Sequence, residues 1–118
     1  MDRIDRELET NATPETAWAA VAEPDGLGDW LEADVDVDMT PGGSGSFRFA
    51  DGEIRRAVVE EVVPRQELTF SWWPIASPHT QAPLGPPTTV TITVEPRPGG
   101  GSIVRLREVA ATRAHAAA

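Results

Sequence analysis

The chain has 118 residues, a length that suits one compact domain, and its 40% hydrophobic content is neither disordered nor membrane-like. It contains no cysteine, which excludes disulfides, thiolate catalysis and cysteine-bound metals, and no apolar run approaches the roughly 20 residues that span a bilayer. The net charge is −9, and residues 1–53 hold fourteen acids against three arginines while residues 54–118 hold five acids against seven.

An acidic chain without a dense basic stripe lacks the electrostatic footprint of a phosphate-backbone binder, so no nucleic-acid partner is expected. The opening segment, MDRIDRELET, is charged and has no apolar signal-peptide core. A cytoplasmic location with no membrane partner is the expectation.

Arg3–Glu9 alternates with period two, with Ile4, Arg6 and Leu8 on one face, and predicts a half-buried strand. TPETAWAAVAEP follows as a helix with Thr13 at the N-cap, Pro14 at the first helical position and Pro24 as its stop. DGLGDWLE predicts a second short helix, with Leu27, Trp30 and Leu31 at helical spacing. From Ala33 onward the pattern alternates. DVDVDM and GSFRFA are strands, Asp51-Gly52 is a hairpin turn, and EIRRAVVEEVVP is a strand whose phase breaks at Glu60-Glu61, where a bulge resets it. ELTFSWW leads into a stretch from Pro74 to Pro87 that holds five prolines, either an ordered excursion or a mobile loop. TTVTITVEP and SIVRLREV form a last hairpin across RPGGG. One strand, two helices and six strands define an α+β domain with an antiparallel sheet.

Several local patterns have ordinary explanations. Asp34, Asp36 and Asp38 imitate the start of a calcium loop, but the glycine and glutamate that such a loop requires are replaced by Met39 and Gly45. Their alternation with valine places them on the solvent face of a strand. PGGSGSF lacks the lysine of a phosphate loop and leads into a strand, so it reads as a flexible turn. His79 lies in the proline-rich stretch, and neither Ser71 nor Ser77 is fixed beside it, so a solvated histidine is expected.

Trp18, Trp30, Phe47, Phe49, Phe70 and Trp72 fall on inward faces, where they serve as core, as pocket wall, or both. Arg6, Arg55 and Glu108 also fall in phase with inward apolar residues. Buried charges of this kind are rare unless paired. Pairing of Glu108 with Arg6 or Arg55 is expected, as a structural ion pair or as the polar end of a cavity.

TPETAWAAVAEPDGLGDWL, PGGSGSFRFADG, RRAVVEEVVPRQELTFSWWP and PPTTVTITVEPRPGGGSIVRLRE follow in an order that resembles the activator of heat-shock protein 90 ATPase homologue family, within the START-like, Bet v 1-like (SRPBCC) superfamily. The resemblance runs from about Ile4 to Glu108. It implies a helix-grip fold, a curved antiparallel sheet with two short helices closing one end, over residues 1–109. It also implies a groove for a hydrophobic small molecule, with Trp30, Phe47, Phe49, Arg55, Phe70, Trp72 and Glu108 as ligand-binding residues. It carries over no catalytic residue, and no cofactor or metal is expected.

Members of that family continue past the last strand into a long amphipathic helix gripped by the sheet. This sequence offers VAATRAHAAA there, so that helix is expected to be truncated or absent, with residues 110–118 an Ala-rich tail that is a short helix or disordered. An uncovered concave face of about 600 Å² would forgo about 15 kcal/mol at about 25 cal/mol per Å², as much as the whole stability of a domain, about 5–15 kcal/mol. A partner subunit, a ligand, collapse of the sheet or the proline-rich loop could cover it, and a homodimer is favoured. The leading functional expectation is a non-enzymatic binding module. A polyketide cyclase or aromatase-like enzyme and a chaperone-activator-like interaction module are the alternatives.

Overall fold

Alternation before the two helices and from Ala33 onward forces a sheet, and the computed structural model, which describes residues 5–80 and 82–110, contains one. Its elements are β1 (Asp5–Thr10), α1 (Pro14–Ala22), α2 (Pro24–Leu31), β2 (Ala33–Val37), β3 (Ser44–Phe49), β4 (Ile54–Val63), β5 (Glu67–Ile75), β6 (Thr88–Pro96) and β7 (Ser102–Ala110). The seven strands lie in the order β1-β7-β6-β5-β4-β3-β2, every neighbouring pair antiparallel. The sheet curls into a half-barrel, so the α+β expectation with two helices and a curved antiparallel sheet is borne out. Residues 111–118, most of the expected Ala-rich tail, lie outside the described residues, and β7 runs on to Ala110.

Local chemistry sets the boundaries. The Thr13 hydroxyl accepts a hydrogen bond from the Thr16 amide at 3.2 Å and caps α1, whose first residue is Pro14. Glu32 ends α2 in the left-handed conformation, φ 58°. The β3–β4 turn contains Asp51-Gly52, as expected, but as a three-residue loop: the Phe49 amide donates to the Glu53 carbonyl at 2.8 Å, and Gly52 takes φ +97°. That pattern is a turn closed by a left-handed glycine. The register of β4 on β5 shifts between Val59 and Glu61, which places the bulge at Glu60-Glu61. The proline-rich stretch folds back on β5, with the Leu84 amide donating to the Pro74 carbonyl at 2.8 Å and a bridge between Ile75 and Pro83.

The register sorts the side chains. Val35, Phe47, Arg55, Ala57, Val59, Leu68, Phe70, Trp72, Val90, Ile92, Val104, Leu106 and Glu108 share the concave face. Asp34, Asp36, Arg56, Trp73, Thr91 and Arg105 point the other way. The three aspartates are exposed, on the solvent face where their alternation puts them.

The concave face, for which a cover was expected, is closed within the chain. Phe47, Phe70, Trp72, Val90, Ile92 and Leu106 are at most 1% exposed. Two features explain this. The aromatic side chains fill the concavity themselves, and the helices close it: α1 packs on β6 and β7 while α2 packs on β2. Arg6, on edge strand β1, donates to the Trp30 carbonyl in α2 at 3.1 Å. The two edge strands, at opposite ends of the sheet, are therefore bridged through α2. Leu8, at 44% exposure, is the large apolar side chain left open on this face of β1 among the described residues.

Gly43 and Gly45 of PGGSGSF are constrained more tightly than a flexible turn requires. A Cβ on Gly45 would lie 1.9 Å from the Asp36 carbonyl oxygen and 2.6 Å from the Val37 Cα. Only a glycine lets edge strand β2 approach this closely. Gly45→Ala is expected to push β2 off β3 and lower stability by about 1–3 kcal/mol. Urea unfolding followed by tryptophan fluorescence checks it, and an unchanged midpoint would refute the tight contact.

Candidate functional site

Five adjacent strands converge on one cluster. Phe47 and Phe49 come from β3, Arg55 from β4, Phe70 and Trp72 from β5, Thr88 from β6 and Glu108 from β7. Period-two alternation puts each of these on the concave side, and the register aligns them: Phe47 with Arg55, Trp72 with Thr88, and Phe70 with Val90 and then Glu108.

Trp72 is the centre. Its ring meets Phe47 edge-on at 5.0 Å, Phe70 at 5.3 Å and Phe49 at 5.9 Å, and Phe47 stacks on Phe70 at 5.4 Å. These are the offset and T-shaped arrangements that aromatic quadrupoles favour. The Arg55 guanidinium lies over the Trp72 ring at 4.5 Å and is 5.5 Å from the Phe49 centroid, a cation–π lid on the cluster.

Glu108 is 3% exposed, and its carboxylate is bound from three neighbouring strands. Its Oε2 accepts from Trp72 Nε1 at 2.7 Å, from the Thr88 hydroxyl, and from Arg55 Nη1 at 3.5 Å. The expected ion pair therefore forms with Arg55. Arg6 does not take part: it sits on the edge strand, exposed, and spends its guanidinium on α2. The outer side of Arg55 is held by Glu53, with Nε donating to Oε2 at 3.1 Å and Nη2 to Oε1 at 3.4 Å. Arg55 is 21% exposed and Glu53 37%, so this end of the cluster reaches solvent.

Of the seven residues expected to bind a ligand, six meet here. Phe47, Phe70 and Trp72 are buried core, Phe49 and Arg55 form a partly exposed rim, and Glu108 is buried beneath Arg55. Trp30 is half-buried against the core on α2 and makes no ring contact with the cluster among the described residues. Phe49 also borders an open depression of about 570 Å³ between α2 and the β3–β4 turn, shared with Asp29, Glu32, Asp34 and Arg48. Glu53 and Thr88 were not singled out from the sequence. A signal existed for each: Glu53 lies two residues before Arg55 on the same face, and Thr88 opens the strand that pairs with Trp72.

His79 is exposed, and its amide contacts the Ser77 hydroxyl at 3.3 Å. The Ser71 hydroxyl instead donates to Glu60 on the convex side. On that face Arg105 bridges Glu95 at 2.7 Å and Glu7 at 3.2 Å, and these hydrogen bonds, Glu95 first, raise the guanidinium pKa further above its ordinary value. No group of three or more potential metal ligands occurs among the described residues, nor is any helix there long and apolar enough to cross a membrane.

The Trp72 indole donates to a buried charged acceptor, so its removal exposes the cost of that carboxylate. Trp72→Phe is expected to lower stability by about 2–4 kcal/mol, from the lost charge-assisted hydrogen bond and the lost packing. Chemical denaturation with far-UV circular dichroism checks it. A loss below about 1 kcal/mol would mean that Glu108 does not depend on the indole.

Solved structures with the same architecture are numerous. DynU16, from the dynemicin biosynthetic locus, superposes with a TM-score of 0.74 at 23% identity, over 96% of this chain and 39% of that one. CalU16 from Micromonospora echinospora gives 0.66 at 18% identity, over 96% of this chain and 63% of that one. The Aha1 dimer from Colwellia psychrerythraea gives 0.61 at 22% identity, over 98% and 85%. This chain thus spans well under half of the DynU16 structure, and at these identities the likeness establishes the fold. Comparison with curated proteins returned no match. The sequence model described as activator of Hsp90 ATPase homolog 1-like protein matches residues 11–118, nearly the whole chain. With its curled seven-stranded sheet and two short helices, the chain belongs to that family.

Proposed function

We propose that this chain is a non-enzymatic START-like module that binds a hydrophobic or aromatic small molecule in the cytoplasm, at the Phe49–Arg55 rim of the concave face. The observation that carries this reading is a continuous aromatic cluster that is sealed at Phe47, Phe70 and Trp72 but reaches solvent where Arg55 lies over Trp72 and Phe49. Small-ligand sites combine such apolar walls with few, well-placed polar groups. The likeness to a protein of the dynemicin biosynthetic locus supports a small-molecule role. Binding is favoured over acid–base catalysis because the Glu108 carboxylate is engaged by the Trp72 indole, the Thr88 hydroxyl and Arg55, a holding arrangement that leaves it aimed at strands instead of at a substrate.

Dimerisation is the second element of the proposal. The Colwellia psychrerythraea relative is described as a dimer in solution, which supports a homodimer here. Burial of the concave face within one chain removes the energetic need for a partner to cover it, so the interface would include other surface, with exposed Leu8 on β1 at hand.

Native mass spectrometry of the purified protein tests both elements. The expected result is a dimer that retains a small molecule, or that takes up an added aromatic compound with quenching of tryptophan fluorescence. A monomer that neither retains nor binds any aromatic compound would overturn the proposal.

A further inference from the structure

The two carboxylates on Arg55 are not equivalent. Glu108 is 3% exposed and shares its oxygen with the Trp72 indole and the Thr88 hydroxyl, so it is locked from within. Glu53 is 37% exposed, stands at the end of the β3–β4 turn, and contacts Arg55 as a two-pronged partner, Oε2 on Nε and Oε1 on Nη2. Exposed ion pairs contribute little to stability, whereas removing a partner from a buried one is costly. The inner contact is therefore the costlier to break and the outer one the more readily exchanged.

The Nε–Nη2 edge of an arginine is the fork that receives a planar carboxylate with two parallel hydrogen bonds. Here that fork is already filled by a carboxylate from the chain itself. Beside it, within 5.5 Å of the guanidinium, lies the partly exposed ring of Phe49. A carboxylate receptor and an aromatic platform thus stand side by side. Glu53 holds the place that an incoming acid would take.

We propose that the ligand of this site is an aromatic carboxylic acid, bound as its carboxylate to the Nε–Nη2 edge of Arg55 in exchange for Glu53, with its ring against Phe49. This rests on the small-molecule reading above and adds the ligand's charge and its anchor. The swap needs only a side-chain rotation of Glu53, because the Glu53 backbone stays fixed by its own turn: its amide donates to Asp51 Oδ1 at 2.9 Å, and its carbonyl accepts from Phe49. Arg55 itself stays in place, held by Glu108 and the face of Trp72. The chain's net charge of −9 opposes an approaching anion, but beyond about 8 Å that field is screened at physiological ionic strength, so the direct contact decides.

Isothermal titration of the full chain with 2-naphthoate, 2-naphthol and 2-naphthylmethylammonium tests this, with the Trp72 indole proton signal followed in parallel. The acid is expected to bind about tenfold or more tighter than the neutral and cationic analogues. Glu53→Gln, which weakens the internal competitor, is expected to strengthen naphthoate binding several-fold. Arg55→Lys keeps a cation over Trp72 and beside Glu108 but loses the fork, and is expected to weaken naphthoate about tenfold with the indole signal and circular dichroism retained. If naphthol or the ammonium binds as well as the acid, or if Arg55→Lys binds naphthoate unchanged, the carboxylate anchor is wrong while the small-molecule reading survives. If none of the three binds, the aromatic-acid proposal falls, and the small-molecule reading then stands or falls on whether native mass spectrometry finds a retained molecule.

Discussion

One buried carboxylate ties the sheet together. Glu108 projects from β7 into an apolar concavity, where an isolated charge would cost several kcal/mol in lost hydration. It is matched by donors from the three strands that follow across the sheet: the Thr88 hydroxyl on β6, the Trp72 indole on β5 and Arg55 on β4. Two of these donors are held in turn by something else. Trp72 is wedged among three phenylalanines, and Arg55 is flattened on Trp72 and clamped outside by Glu53. The charged group sets the relative positions of four strands, and the aromatic cluster sets the position of the charged group.

Closure of the half-barrel follows from a different economy. A sheet this curled leaves two edges facing each other across its mouth, and apolar side chains between them need a cover. The cover is short: α2 lies on one edge strand, and the other edge reaches it through Arg6 and the Trp30 carbonyl. Three phenylalanines and Trp72, large and rigid, occupy the volume that smaller residues would have left open. The concave face thereby becomes a packed core with a solvent-facing rim, so the site is a feature of the rim instead of a deep cavity.

Much of this was legible in the residues. Alternation assigned Phe47, Phe70, Trp72, Arg55 and Glu108 to one face, because a strand's side chains have a strict period of two. A buried charge then demanded a partner of opposite sign. Which arginine answered could not be read, since Arg6 and Arg55 have the same phase and differ only in where their strands lie. Arg6 lies on edge strand β1, directly beside β7, yet its guanidinium turns to the Trp30 carbonyl of α2, while Arg55, three strands away from Glu108, reaches it within the aromatic cluster. Trp30 showed the limit of helical spacing. Its place on the apolar stripe of α2 meant core contact, but contact with the aromatic cluster depends on how a helix lies on a sheet, which spacing does not encode. Gly45, two residues before Phe47, looked like slack in a turn and instead marks the tight approach of β2 to β3, a consequence of backbone proximity that only the assembled sheet creates.

By itself the sequence determined the elements and their order, the inward and outward faces, the capped helix, the bulge at Glu60-Glu61 and the family resemblance, because each depends on local periodicity, local turn chemistry or ordered motifs. Tertiary structure decided that the concave face is sealed within the chain, that Arg55 and not Arg6 meets Glu108, and that Glu53 holds the outer fork. Those outcomes depend on the curl of the sheet and on distances between strands far apart in the chain, and no pattern along a single strand contains them.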